Sequence, residues 1–488
     1  MKLKYLVAAA MMGVVTLPSC NNFLDITQEN TNPTETINYS DLSQMYAPVS
    51  GTYAIARSKM TQWEVWPLLN VRGDEVTKGG GSEADQHDYL EVENYNYDAI
   101  QNFWALNNAW MAYYGIIYNT FDNQKLLDNF KPYLNTDKDK DMYAQYTAEI
   151  TFHRALAYYF ISNLWGDAPI IPADNQMAVV IPKSSQQQIR QHVIDMLKDI
   201  LPALPAQRPD QNSHPGAVTK YTAETLIAKT ALQMGDMQTV KEMTDDIINN
   251  GGFSLQTGAN YRTLFQIPGK LCAESIYEFQ FTDFGNPTGD NIYGGAWFQH
   301  QGPRGASGNL SGWGFGTIEP GFIKFMKDRK ETTRYDIDVL ESGKTTPEGD
   351  AIPEFKPSYA PYNGTDANYN AKAYTPSSQI TAGRNDYGVG NNIRLFRYAD
   401  VLLMNAEAKL AVGGDAATPF NLVRQRASMP AIAAPTKADI LNERRAEMAN
   451  EWGDRFNDLV RTNDPSVKGH EFLPYPTAQV DLNPDLAN

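Results

Sequence analysis

Residues 391–410 read Asn-Asn-Ile-Arg-Leu-Phe-Arg-Tyr-Ala-Asp-Val-Leu-Leu-Met-Asn-Ala-Glu-Ala-Lys-Leu. Apolar residues recur in this stretch at helical spacing: Ala399, Leu402, Leu403, Ala406 and Leu410. The spacing predicts a helix that packs one face and leaves Asp400, Glu407 and Lys409 off that face. The pair Gly413-Gly414 predicts its end, because glycine accepts the left-handed backbone of a helix C-terminus.

A second helix is predicted from about Thr436 onward, with Asp439 placed three residues later as a capping partner. One side of this helix is apolar and carries Leu441, Met448, Trp452, Phe456 and Leu459. The two helices together predict a packed, helical end to the chain.

Charged residues crowd the second helix, where residues 443–462 read Glu-Arg-Arg-Ala-Glu-Met-Ala-Asn-Glu-Trp-Gly-Asp-Arg-Phe-Asn-Asp-Leu-Val-Arg-Thr. One interpretation is a catalytic cluster. The other, which is more usual for this spacing, is a set of ion pairs that fix helix packing and register. On that interpretation Arg455 pairs with Glu451 and Asp458 along its own helix.

The segments RYADVLLMNAEA (397–408) and ERRAEMANEWGDRFNDLVRT (443–462) resemble the closing helices of the SusD/RagB family, the outer-membrane nutrient-binding lipoproteins of Bacteroidetes. Arg154-Ala155-Leu156 and Gly166-Asp167-Ala168-Pro169 match the same family. Trp452-Gly453-Asp454 departs from it, since the family has a shorter Glu-Gly step there. The resemblance implies capture of a nutrient and its delivery to a SusC-like TonB-dependent transporter.

The N-terminus predicts export and a lipid anchor. Lys2 and Lys4 precede an apolar run, residues 5–17, which is too short to span a bilayer and is typical of a secretory signal. The run leads into Leu17-Pro18-Ser19-Cys20, which resembles a lipoprotein box with acylation of Cys20. An ordinary signal peptide with an incidental cysteine is the alternative, less favoured because Cys272 is the only other cysteine.

These features predict a signal peptide over residues 1–19 and a lipidated tether over 20–40. Acyl chains on Cys20 would hold the protein on the outer membrane without crossing it. The net charge of −16 repels phosphate backbones, so nucleic acid is excluded as a partner.

Residues 41–488 are predicted to form a single all-α domain of tetratricopeptide-like helix pairs with minor strand content. Helical patterns cover 41–61, 103–127, 142–164, 186–204, 222–233 and 240–250, whereas 274–281 alternates as a short strand. Two irregular insertions, at about 282–320 and 341–392, interrupt the pattern. Long loops of this kind usually serve function or are disordered.

No catalytic or metal motif emerges from the sequence. The six histidines show no pairing at ligand spacing, and neither a nucleophile elbow nor a phosphate-binding glycine loop is present. We therefore predict a binding protein that is not an enzyme and that carries no cofactor or metal.

Two loop regions combine aromatic rings with polar side chains, which suits sugars because their flat faces stack on aromatics while their hydroxyls form hydrogen bonds. From the first region, residues 70–97, we select Arg72, Asp74, His87 and Tyr89 as ligand contacts. From the second, residues 293–315, we select Trp297 and Trp313.

Each selected residue has an ordinary structural alternative. Asp74 equally fits a loop cap, His87 a solvated loop histidine, and either tryptophan an anchor for its own loop. Trp63 and Trp66 are predicted to belong to the core.

The predicted function is therefore capture of an oligosaccharide at the cell surface. A RagB-like peptide-binding protein and a structural or adhesive surface protein are the alternatives. A groove with unpaired backbone groups would favour peptide, and a large apolar patch would favour adhesion.

Overall fold

The computed structural model describes residues 37–176, 178, 180–288, 294 and 296–487. The predicted signal peptide, the lipidation site Cys20 and most of the predicted tether lie outside the described residues. Within the described ranges, no helix is both long and apolar enough to cross a bilayer.

Helices account for most of the regular structure. They are, in chain order, α1 (Ala47–Met60), α2 (Val65–Asn70), α3 (His87–Glu93), α4 (Trp104–Asp128), α5 (Asp137–Leu164), α6 (Gln186–Ile200), α7 (Lys220–Met234), α8 (Met237–Asn250), α9 (Ala259–Thr263), α10 (Ala296–Gln301), α11 (Pro320–Asp328), α12 (Tyr335–Asp338), α13 (Tyr398–Val412), α14 (Ala417–Arg426), α15 (Lys437–Glu447), α16 (Asp454–Arg461) and α17 (Thr477–Leu482).

The strands are short and form antiparallel pairs. They are β1 (Ala168–Pro169) with β2 (Lys183–Ser184), β3 (Ser275–Phe279) with β6 (Ile393–Arg397), and β4 (Val339–Leu340) with β5 (Tyr369–Asn370).

The long helices pack in a series. Helix α1 lies against α4, α4 against α5, α5 against α6, α6 against α7, α7 against α8, α8 against α13, and α13 against α14. This array confirms the predicted all-α, tetratricopeptide-like architecture with little strand.

Helix α5 shows why these sequences form close helix pairs. Thr136 and Asp139 form a capping box that satisfies backbone N–H groups at its start. Further along, Ala155 has no exposed surface and lies in the same buried core as Phe152 and Tyr159. Small residues between large rings let neighbouring helices approach, and each large apolar side chain buried contributes about 1.5–3 kcal/mol.

The predicted closing helix is two helices in the structure. Helix α15 begins after the Thr436–Asp439 capping box, as predicted, but it ends at Glu447 and α16 begins at Asp454. Gly453 adopts φ +76° at the start of α16, a conformation that favours glycine. The Trp452 indole anchors the turn, because Nε1 donates to the Arg394 carbonyl oxygen at 2.7 Å.

The crowded charges form buried ion pairs, which supports the structural interpretation. Arg397 is fully buried and donates to Glu274 Oε1 at 2.9 Å, to Glu447 Oε1 at 3.1 Å and to Glu451 Oε2 at 2.9 Å. Burial disfavours the charged form of Glu447, but the surrounding arginines outweigh it and hold the pKa of this carboxyl below its usual value.

A neighbouring group of ion pairs joins α13, α15 and α16. Arg444 binds Asp400 at 2.6 Å and Asp458 at 2.9 Å. Arg461 binds Glu407 at 2.6 Å. The prediction that α13 packs one face only is wrong, because every residue from Tyr398 to Ala408 is buried. Asp400 and Glu407 are enclosed in ion pairs, and their cationic partners offset the cost of burial.

Arg455 corrects one expectation about this helix. Its guanidinium turns away from the predicted partners and donates to Asp74, with Nε–Oδ1 2.6 Å and Nη2–Oδ2 2.9 Å. The pair ties α16 to the loop that follows α2.

Candidate functional site

Three tryptophan side chains from distant parts of the chain meet at the surface. Trp63 lies between α1 and α2, Trp104 begins α4, and Trp313 lies in the loop before α11. The Trp63 ring centroid is 5.6 Å from that of Trp104 and 5.6 Å from that of Trp313. Trp104 is 43% exposed, and the other two are half-buried. We call this group the tryptophan platform.

Buried rings support the platform from beneath. The His300 ring stacks on Trp63 at 5.3 Å and 30°, and the Tyr89 ring meets Trp63 at 6.2 Å. Burial lowers the pKa of His300 to about 3, so this imidazole is neutral at physiological pH. The Tyr89 hydroxyl donates to the Glu64 carbonyl oxygen at 3.0 Å, which fixes its ring below Trp63.

Glycines bring the Trp313 loop against the loop that follows α2. Gly80 N donates to the Gly314 carbonyl oxygen at 2.6 Å. Gly79 has φ +69°, and a Cβ there would lie 2.6 Å from the same oxygen. A Cβ at Gly81 would lie 2.5 Å from Arg304 Nη2. A larger residue at Gly79 would push the two loops apart, whereas at Gly81 it would displace only the Arg304 side chain.

Polar side chains border the platform on two sides. Asn108 lies one turn after Trp104 and donates from Nδ2 to Glu64 Oε1 at 3.3 Å. Arg304 donates from Nη1 to the Trp313 carbonyl oxygen at 3.2 Å, and Nη1 lies 3.6 Å from Asp85 Oδ2. The Arg304 side chain is nearly half exposed, so it retains N–H groups for a ligand.

Of the two predicted tryptophans, only Trp313 belongs to this surface. Trp297 is 6% exposed and packs against Phe298 at 4.9 Å and Trp452 at 6.3 Å. Its burial excludes direct ligand contact in this conformation, and its contacts assign it the anchoring role that was the alternative.

Arg72 and Tyr89 are also buried, which corrects their selection as ligand contacts. Arg72 is 1% exposed and donates from Nε to Tyr97 Oη at 3.0 Å and from Nη2 to the Glu471 carbonyl oxygen at 2.6 Å. Its guanidinium also lies 3.9 Å from the centroid of Phe456. Tyr89 acts only indirectly, by supporting Trp63.

Asp74 and His87 are accessible but have protein partners. The Asp74 side chain is 47% exposed and is held by Arg455 and by Arg445 at 3.1 Å. Partial burial raises the pKa of Asp74, but the hydrogen bond and charge of Arg455 outweigh it and keep the pKa below its usual value. His87 is half exposed and lies 2.8 Å from Glu91 Oε1. Neither residue contacts a platform ring.

Trp63 and Trp104 are the site residues that sequence reasoning missed. The sequence predicts Trp63 in the core, whereas the structure leaves it half-buried at the surface, and Trp104 is not among the predicted contacts. The available signal was the spacing of large apolar residues on α4, since Trp104, Met111 and Tyr118 are seven residues apart and lie opposite the core face. Residues spaced this way share one side of a helix, which here faces solvent.

The arrangement suits a ligand with flat apolar faces and a polar edge. Aromatic rings at differing tilts can hold a curved chain of such faces, while the carboxylate, amide and guanidinium groups beside them can bind hydroxyls. In the part of the chain that the structure describes, no group of three or more side chains is placed to hold a metal ion.

Comparison with known proteins shows which family this chain resembles. The model of the SusD family matches residues 273–488. A SusD-like protein of Bacteroides ovatus is 24% identical over 420 residues, which cover 79% of this chain and 71% of that protein. Over these residues the chain is similar to the SusD family, as its sequence motifs implied. Its closing helices α13 to α16 lie within the matched segment, in agreement with the motifs that carried the resemblance.

Solved structures of SusD-family proteins share the fold along nearly the whole chain. A laminarin-binding SusD-like protein aligns with TM-score 0.75 and 22% identity, covering 90% of this chain and 97% of the other. Surface glycan-binding protein A from Bacteroides thetaiotaomicron in complex with laminarihexaose aligns with TM-score 0.68 and 20% identity, covering 89% and 97%.

Proposed function

We propose that this protein captures oligosaccharides at the cell surface on the tryptophan platform. The observation that carries the proposal is the meeting of Trp63, Trp104 and Trp313 at the surface, with polar groups on either side. The match to the SusD family model over residues 273–488 and the glycans named for two proteins of the same fold support it.

The proposal extends to anchoring and delivery. Acylation of Cys20 would place the protein on the outer membrane, and a SusC-like TonB-dependent transporter would receive the glycan. The lipoprotein box supports the first step, and the resemblance to the SusD family supports the second. Binding without catalysis is sufficient for this role.

Calorimetry on lipid-free protein tests the platform. A panel of oligosaccharides that includes laminarihexaose first identifies a ligand, and Trp104→Ala and Trp313→Ala are then titrated separately. By analogy with aromatic stacking on nucleobases, each ring contributes about 1–3 kcal/mol, so affinity should fall roughly 5- to 150-fold.

Met111→Ala is the matched control, because Met111 is 48% exposed on the same side of α4 as Trp104. We expect this variant to bind as wild type does. Wild-type affinity in both tryptophan variants would contradict the platform, and absence of binding across the panel would contradict glycan capture.

The anchor has its own test. Cys20→Ala should move the protein from the membrane fraction to the soluble fraction, because the described residues contain no membrane-spanning helix to retain it. If the variant stays in the membrane fraction after a high-salt wash, acylation at Cys20 is not the anchor.

A further inference from the structure

A cavity of about 550 Å³ lies between α1, the loop over residues 212–217, and β3. Its lining includes Tyr46, Tyr53, Arg57, His214 and Gln280, and it shares no residue with the tryptophan platform. Pockets for small organic ligands commonly measure about 300–1,000 Å³, so a sugar ring fits here. We call it the Arg57 pocket.

Arg57 is the cation of this pocket, and its guanidinium lies 5.6 Å from the centroid of the Phe281 ring. It is half-buried, and its guanidinium donates one long hydrogen bond, from Nη1 to the Gln280 carbonyl oxygen at 3.4 Å. It forms no ion pair with any described carboxylate, unlike Arg397 and Arg444 in the protein interior. A guanidinium has five N–H donors, so most of the binding capacity of Arg57 is uncommitted among the described residues.

Aromatic rings line the cavity beside Arg57. His214 stacks on Tyr46, with centroids 3.5 Å apart and planes 4° apart. The Nδ1 atom of His214 is buried without a hydrogen bond to any described residue. Gln280 lies against the loop over residues 212–217, where its Nε2 donates to the Pro215 carbonyl oxygen at 3.0 Å. Gly216 leaves room for this side chain, because a Cβ at Gly216 would lie 1.9 Å from Gln280 Nε2.

The two carboxylates near the cavity are already engaged. Glu278 lines the cavity, but its carboxylate oxygens accept hydrogen bonds from Leu271 N at 3.1 Å and from Asn392 Nδ2 at 2.7 Å. The carboxylate also lies 3.4 Å from Arg394 Nε. Glu149 lies behind the tyrosines and accepts a hydrogen bond from the hydroxyl of each. Neither forms an ion pair with Arg57.

We propose that the Arg57 pocket binds a uronic acid, whose carboxylate pairs with the Arg57 guanidinium while its ring packs on the aromatic wall. The fork of two parallel N–H donors matches a carboxylate, and partial burial strengthens the pairing. A neutral sugar would leave the guanidinium without its counter-charge. The site is independent of the platform and adds recognition of acidic sugars to the proposed function.

Titration with small acids and sugars tests this assignment. Lipid-free protein is titrated by NMR or calorimetry with sodium glucuronate, with glucose, with acetate, and with a disaccharide ending in glucuronate. Glucuronate should bind at least tenfold more tightly than glucose or acetate, because it alone supplies both the carboxylate and the ring. The disaccharide distinguishes a terminal residue of a glycan from a free uronic acid as the natural ligand.

Two variants locate the binding. Arg57→Gln should weaken glucuronate binding about tenfold or more, since a charged hydrogen-bonded pair is lost. Lys59→Gln is the matched control, because it removes the same charge from the same last turn of α1, and it should change affinity less than twofold. Ser50→Trp fills the mouth of the pocket from an exposed position and should abolish binding while Arg57 remains.

The outcomes separate this proposal from the platform. Glucuronate affinity that survives Trp104→Ala but falls in Arg57→Gln and Ser50→Trp supports the Arg57 pocket, whether or not neutral glycans bind elsewhere. Equal binding of glucose and glucuronate, or wild-type glucuronate affinity in Ser50→Trp, would overturn it. Loss of glucuronate binding in Trp104→Ala alone would move the acidic ligand to the platform.

Discussion

The carboxyl group of Glu149 is buried beneath the Arg57 pocket and forms no ion pair with a described residue. Tyr53 Oη donates to Oε2 at 2.8 Å, Tyr46 Oη donates to the same atom at 3.2 Å, and Gln145 Nε2 donates to Oε1 at 3.0 Å. Burial raises the pKa of Glu149 to about 7, and the three hydrogen bonds offset only part of that rise.

Glu149 should therefore reduce stability as the pH rises through about 7. The unfolded carboxyl titrates near its usual pKa of about 4.3, so at intermediate pH the folded protein holds a proton that the unfolded chain has released. The stabilisation is fully present below the unfolded pKa and is lost as the pH passes the folded pKa. Urea unfolding at pH 5.5 and 8.0 should show a smaller fall in unfolding free energy for Glu149→Gln than for wild type.

Glu83→Gln provides the control for this titration, because Glu83 is exposed. Its pH dependence should match that of wild type. A fall of the same size in Glu149→Gln would mean that the buried carboxyl is ionised across the whole range.

Trp297 and Trp313 show what sequence decides at the scale of a residue. Both occur in one aromatic, glycine-rich insertion, so composition correctly predicted rings there but could not separate them. Trp297 lies on α10, where Trp452 covers it, and Trp313 lies where Trp63 leaves one side open. The exposure of each tryptophan depends on a partner ring that is far away in the sequence. No local signal therefore distinguishes the two.

At the scale of an element, the turn between α15 and α16 depends on a glycine that packs against backbone. Gly453 has φ +76°, and a Cβ there would lie 2.9 Å from the Leu69 carbonyl oxygen. Gly235 at the end of α7 has a similar φ of +75°, but a Cβ there meets nothing within 4 Å. The two positions therefore separate backbone strain from close packing.

Gly453→Ala should destabilise the protein more than Gly235→Ala. A left-handed conformation costs an alanine about 1–2 kcal/mol, and this is the full expected loss at Gly235. At Gly453 the Leu69 backbone must also shift, so the loss of unfolding free energy in urea should be larger. Equal losses in the two variants would show that the α2 backbone yields without cost.

The same turn shows why the closing segment was predicted as one helix. Apolar residues keep helical spacing from Leu441 to Leu459, and the capping box at Thr436 was read correctly. The break depends on tertiary contacts, because the Trp66 indole donates to the Glu451 carbonyl oxygen at 2.8 Å and thereby takes an acceptor from the helix ladder. The spacing of apolar residues along a helix cannot predict a hydrogen bond between residues that are 385 positions apart.

At the scale of the whole molecule, the helix array follows from the sequence and the placement of the insertions does not. Helices α4, α7 and α8 lie within a few residues of the predicted ranges, since each carries a continuous apolar pattern. The insertions pack through isolated contacts, such as the bridges Val76–Ile318 and Gly79–Phe315. These contacts create the tryptophan platform, so the residues of the site could be predicted only in part.

The buried ion pairs connect segments that are far apart in sequence, so they should contribute to global stability. Arg397→Met should lower the unfolding free energy by about 3–5 kcal/mol, because it keeps the volume of the side chain but leaves Glu274, Glu447 and Glu451 with fewer cationic partners in a dry interior. Lys140→Met is the control.

Lys140 pairs with Asp137 at 3.1 Å on the exposed start of α5, where an ion pair contributes about 0–1 kcal/mol. Urea unfolding followed by circular dichroism and by tryptophan fluorescence measures both variants. The two signals should shift together in Arg397→Met, since Arg397 joins β3, β6 and α15 into one cooperative unit. A loss no larger than that of Lys140→Met would mean that the remaining cations, Arg334, Arg426 and Lys372, compensate the carboxylates without Arg397.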